Sequence, residues 1–162
     1  MFISITRLRL RLWFFLPSFF IASSGIVKQA KEAAGFAEGA TFLDRKLTFW
    51  TVTLWREDAA MKAFRGQGAH KESMPKFANW CDEGSVAHWE SEEGLLPDLG
   101  EINRQMKALG RPSLPSRRSE GDWRFTFPTS LPAPYEIGGL GSTSAEPCAG
   151  RQSVKSPYCH RG

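Results

Sequence analysis

Leu47-Thr48-Phe49-Trp50-Thr51-Val52-Thr53-Leu54-Trp55 is the stretch that decides the fold. Apart from two leucines it is β-branched or aromatic throughout, the composition of a pleated strand that packs on at least one face. Arg56-Glu57-Asp58 follows at once, and the pattern then becomes helical, with Asp58 a candidate N-cap and Met61 and Phe64 on the apolar side. Upstream, residues 36–45 read as a second strand with Gly39 as a candidate bulge, and Leu43-Asp44-Arg45-Lys46 reads as the hairpin turn between the two.

Further out, residues 16–34 predict a helix. Pro17 is tolerable in its first turn, Phe19, Phe20, Ile26, Val27 and Ala30 form its apolar side, and Gly35 stops it. Residues 2–12 alternate as a strand does, with Phe2, Ser4, Thr6, Leu8, Leu10 and Leu12 on one face and Ile3, Ile5, Arg7, Arg9 and Arg11 on the other. Downstream, Gly66-Gln67-Gly68 interrupts the first short helix, a second helix spans about 69–81, and residues 84–90 make a last strand. The order is β-α-β-β-α-β, an α+β, ferredoxin-like arrangement with a four-stranded antiparallel sheet. Leu99, Ile102, Met106 and Leu109 fall at helical spacing within 97–109. After Pro112 the chain is rich in Pro, Ser, Gly and Arg without a sustained period. The expected division is therefore a domain over 1–95, an extra helix over 96–112, and a mostly disordered tail over 113–162.

The composition suits a folded core: 162 residues, 41% hydrophobic and 12% aromatic. The formal charge of +4 is thinly spread, with 15 Lys/Arg against 13 Asp/Glu over residues 1–112. The one compact basic run, Arg7 to Arg11, alternates with leucine, so no nucleic-acid partner is expected. Cys81, Cys148 and Cys159 are odd in number and lack CxxC spacing, which points to a reduced cytoplasmic protein with Cys81 a core thiol. The apolar run from Leu12 to Ala22 after the arginines imitates a signal peptide or an interfacial anchor. It is too short to span a bilayer, and the strand alternation before it favours the folded reading.

His70, Met74, Phe77 and Cys81 are spaced 4, 3 and 4 and share one narrow stripe of a helix. That stripe turns His70 toward the sheet. Two readings stay open: a histidine hydrogen-bonded at the edge of the core, or a neutral imidazole entering a cavity as a haem ligand or proton-transfer group. If Val52 and Leu54 face the helices with Leu8 and Leu10, then Phe49, Thr51, Thr53 and Trp55 form an open aromatic face. Two copies packed sheet to sheet would cover it, which predicts a homodimer. His88, Glu90, Glu92 and Glu93 lack metal-ligand spacing, and no metal site is expected there. No dinucleotide, Walker or nucleophile-elbow motif occurs.

The segment Thr51 to Arg65 resembles the third strand and following helix of the antibiotic-biosynthesis-monooxygenase-like superfamily of dimeric α/β-barrels. Its pattern is a strand ending in Leu-Trp, an acidic turn, and a helix with Met and Phe inward. Gly68-Ala69-His70 leading to Trp80 is similar to the Gly-x-His segment of spheroidene monooxygenase and its uncharacterised relatives. The resemblance covers about 2–92. It implies a homodimer with a cleft between sheet and helices, acting on an apolar polycyclic or isoprenoid substrate, with His70 as a catalytic or haem-binding residue and haem the candidate cofactor. Trp55, Phe64, Met74 and Phe77 would line the substrate pocket. The haem-degrading branch fits less well: it would have Trp where Phe64 stands, His where Met74 stands, and Asn where Ser4 and Thr6 stand. The alternative of another class is a non-catalytic dimeric module that binds a small ligand or a protein partner. Residues 12–21 are the candidate for membrane contact.

Overall fold

A computed structural model describes residues 1–44 and 46–114 of the chain. Its elements are β1 (Phe2–Leu10), α1 (Leu16–Glu32), β2 (Phe36–Leu43), β3 (Thr48–Trp55), α2 (Asp58–Arg65), α3 (Gly68–Trp80), β4 (Cys81–Glu90), α4 (Leu99–Leu109) and β5 (Arg111–Pro112). The strands form one antiparallel sheet in the order β2-β3-β1-β4-β5. This is the expected β-α-β-β-α-β arrangement, extended to five strands where four were expected. Val86 and Ser85 of β4 pair with Arg111 and Pro112, residues whose Pro content masks a strand of this length. The expected tail begins at the end of β5, and residues 115–162, with Cys148 and Cys159, lie outside the described residues.

Register fixes which side chains share a face. Phe2 lies opposite Trp55, Ser4 opposite Thr53, Thr6 opposite Thr51, and Leu8 opposite Phe49. Directly opposed residues of an antiparallel pair project to the same side. Leu8 therefore shares a face with Phe49 and Trp55, which corrects the expectation that Val52 and Leu54 accompany Leu8. Phe49, Trp55, Leu8 and Phe2 pack against α1, α2 and α3. Ile3, Ile5, Trp50, Val52 and Leu54 face the other way, where Ile102 and Met106 of α4 cover them. Both faces are apolar because both are covered, so alternation alone could not tell one from the other. Among the described residues the face with Phe49 and Trp55 is therefore not open: three helices cover it, and α4 packs on the other face.

Local chemistry explains the joints. Gly35 ends the turn after α1 with φ +81°, and a Cβ there would meet the Ala60 Cβ at 2.7 Å, so only glycine fits. Asp44 shapes the β2–β3 connection: its Oδ1 accepts from the backbone N–H of Lys46 at 2.8 Å and of Thr48 at 3.1 Å. The irregularity of β2 lies between Phe36 and Glu38 rather than at Gly39. Glu57 is the N-cap of α2 and Asp58 its first residue, one position from expectation. Cys81 opens β4 rather than closing α3, yet remains buried against Phe77, and burial raises its thiol pKa to about 12. The β1 arginines form ion pairs with β4: Arg7 with Glu83 at 2.9 Å and Arg9 with Asp82 at 2.5 Å.

Candidate functional site

The helix-side face carries two apolar clusters bridged by Ile26 of α1. Phe2, Phe36, Trp55, Met61 and Phe64 form one, and Leu8, Phe19, Phe49 and Phe77 anchor the other. Between them the sheet presents hydroxyls: Ser4 beside Thr53 in one row, Thr6 beside Thr51 and Thr41 in the next. Opposite these rows α1 offers Ser23, Ser24, Val27 and Ala30. Small side chains on both sides leave space unfilled, and a cavity of about 710 Å³ lies there between sheet and helices.

All five residues singled out in the sequence line this one cavity: Trp55, Phe64, His70, Met74 and Phe77. Trp55 stands on β3 with its indole Nε1 donating to Thr53 Oγ1 at 2.9 Å, and that hydroxyl donates to the Ser4 carbonyl at 3.3 Å. The ring of Phe64 packs on Trp55 at 5.0 Å between centroids and meets the His70 ring edge-on at 5.1 Å. Phe77 closes the far end through Phe19 at 4.9 Å.

His70 sits in the first turn of α3, which lacks a side-chain cap of its own. Gln29 of α1 supplies the missing partners. Its Oε1 accepts from the His70 backbone N–H at 2.8 Å, and its Nε2 donates to the Phe64 carbonyl at 2.9 Å and the Gln67 carbonyl at 3.0 Å. Gly68 allows this approach: it holds φ +54°, and a Cβ would press on the Gln29 amide carbon at 3.1 Å. The imidazole itself has a buried Nδ1 with no hydrogen-bond partner among the described residues. Burial lowers its pKa to about 4, the Arg65 guanidinium adds to the depression, and the Arg65 backbone opposes it weakly. The ring is therefore neutral at physiological pH.

Several lining residues escaped the sequence reading. His88 lies opposite Ser4 across the sheet and lines the cavity, where Arg111 Nη2 approaches its Nδ1 at 3.2 Å. Burial first, then the Arg111 guanidinium, lowers its pKa. Among the described residues no group of three or more His, Cys, Asp or Glu side chains stands close enough to hold a metal. The hydroxyl rows had a signal, since Ser4, Thr6, Thr51 and Thr53 alternate on two strands. Gln29 and Arg111 had none, because their partners are distant in sequence. At the opposite end of α1, Trp13 and Ile21 are 72% and 75% exposed. No helix among the described residues is long and apolar enough to cross a membrane.

This α+β sheet with helices over one face is similar in fold to several solved structures. A crystal structure described as an antibiotic biosynthesis monooxygenase matches with TM-score 0.52 at 14% identity, covering 56% of this chain and 98% of that one. A conserved protein from Methanosarcina mazei matches with TM-score 0.52 at 8% identity, covering 56% and 92%. A variant of SnoaB, a cofactor-independent oxygenase from Streptomyces nogalater, matches with TM-score 0.50 at 10% identity, covering 60% and 97%. At these identities the likeness is one of fold. The chain itself belongs to the family described as a domain of unknown function (DUF3291), whose model matches residues 20–137. No curated protein matches it.

Proposed function

We propose that the chain is a monooxygenase-like protein that binds an apolar polycyclic or isoprenoid molecule in the cavity between sheet and helices. The observation that carries this is the convergence of Trp55, Phe64, Met74 and Phe77 with a neutral His70 on one hollow. Apolar walls with one orienting polar group suit such a ligand. Support also comes from the fold neighbours, among them one described as an antibiotic biosynthesis monooxygenase and one as a cofactor-independent oxygenase. A ring with pKa about 4 takes up a proton poorly near neutral pH. Anchoring a substrate oxygen through hydrogen bonding, or ligation, therefore fits His70 better than proton abstraction does.

Haem fits the same residues in one respect. Nδ1 of His70 is buried and makes no hydrogen bond of good geometry among the described residues, which leaves it available as a ligand nitrogen. His70 would hold the iron and Arg65, Lys71 and Arg111 would face the propionates, and a bound haem would supply the redox chemistry. Among the described residues that line the cavity none carries a carboxylate or thiol, which favours a second reading, a non-catalytic module that binds a small ligand.

The experiment is expression with and without added hemin, followed by visible spectra and oxygen uptake with a polycyclic phenol. A Soret band lost in His70→Ala supports the haem-linked form. Oxygen uptake without hemin supports the cofactor-independent form. Binding without uptake in either preparation selects the binding module.

A further inference from the structure

The cavity is not uniformly apolar, and its polar side has one sign. Arg65, Lys71 and Arg111 line it, and among the described residues no aspartate or glutamate does. None of the ion pairs among the described residues involves these three cations. Two of them act on the histidines: Arg111 touches the His88 ring, and Arg65 acts electrostatically on both His70 and His88. A guanidinium only donates, so Nδ1 of His88 accepts from Arg111 and the ring proton resides on Nε2. The His88 end of the cavity thus offers hydrogen-bond donors and positive charge, whereas Phe19, Phe49 and Phe77 at the other end offer none. Among the described residues Asp58 is the carboxylate that acts on His88, and it is taken up by Lys62 at 2.5 Å.

We propose that the cavity selects an amphiphilic anion, with its apolar body against Phe19, Phe49 and Phe77 and its acid group beside Arg111, Arg65 and His88. This rests on the reading of the cavity as the substrate site and adds the charge of the substrate to it. An oxyanion gains charge-assisted hydrogen bonds there that a neutral analogue lacks. The arginines stand at the mouth, partly in solvent, so the gain is moderate and screened by salt.

The test compares an anthracene carboxylate with its methyl ester by ligand fluorescence anisotropy on the full chain. Neither probe contains iron, so the answer is independent of haem. The carboxylate is expected to bind about tenfold more tightly at low salt, and high salt should narrow the difference. Arg111→Gln and Arg65→Gln should each narrow the preference, read as the carboxylate-to-ester affinity ratio within each variant. Equal binding of the two probes overturns the anion proposal and leaves the apolar site standing. A preference that survives both substitutions also overturns it. Binding of neither probe overturns the proposal and the substrate-site reading together. Failure of oxygen uptake alone touches the monooxygenase reading and not this one.

Discussion

Gln29→Met should loosen the wall that holds His70. The substitution keeps the length and volume of the side chain and removes its hydrogen bonding. Wild-type Gln29 makes three such bonds, to Phe64, Gln67 and His70, and thereby ties α1 to the junction of α2 and α3. A net hydrogen bond contributes about 1 kcal/mol, less where water can replace the partner. The bonds to Phe64 and His70 are partly buried and the one to Gln67 is exposed. The expected loss is therefore about 2 kcal/mol, and the melting temperature should fall by about 10 °C for a domain of this size. Chemical denaturation read by tryptophan fluorescence measures the first, and differential scanning calorimetry the second. Because the His70 N–H is freed within the first turn of α3, affinity for apolar probes should fall as well. A change under about 0.5 kcal/mol would refute the reasoning, since it would mean that water replaces Gln29 at all three groups.

The acid limb of stability should carry the mark of His70. Its pKa falls from 6.5 to about 4 on folding, so the unfolded chain binds the proton more readily, and stability is lost as pH falls from 6.5 toward 4. That gap converts to roughly 3 kcal/mol at most, or about 2 after discounting for partial solvation of the ring. His70→Phe should flatten this limb relative to wild type in denaturation series across the window, and superimposable curves would sink the idea. Met106→Ala should destabilise the whole domain by about 3 kcal/mol, since Met106 is fully buried against the sheet. Urea unfolding should remain a single transition in that variant, and a loss below about 1 kcal/mol would make α4 a mere appendage.

The strand 47–55 and the helices beside it were legible because each has a strong local period. The direction of His70 was legible for the same reason: Met74 and Phe77 repeat at helical spacing on its side. Register was not legible. Phe49 and Val52 are equally apolar, and the sequence of β3 contains nothing that says which of them lies beside Leu8. That information sits in the pairing of β1 with β3, which is non-local. The polar half of the site was hidden by the same physics. Gln29 is separated from its partners by 35 to 41 positions, and Arg111 reaches His88 only because two residues after α4 join the sheet edge.

The misread faces matter for function, because they decide where the fold gets its stability. Ile3, Ile5, Val52 and Leu54 pack tightly under α4, where Ile102 and Met106 fill the space above them. On the opposite face two apolar clusters meet only through Ile26, and rows of Ser and Thr lie on the sheet between them. An unfilled hollow forfeits dispersion contacts along its whole lining and is tolerable only where other packing outweighs the loss. The α4 side supplies that packing. The helix side is then free to remain hollow, with hydroxyls on its floor and cations at its mouth. Such a division of labour between the two faces is what a binding cavity requires, and it predicts that ligand binding stabilises α1 and α3 against hydrogen exchange while leaving α4 unchanged. Equal protection of all the helices on adding ligand would contradict it.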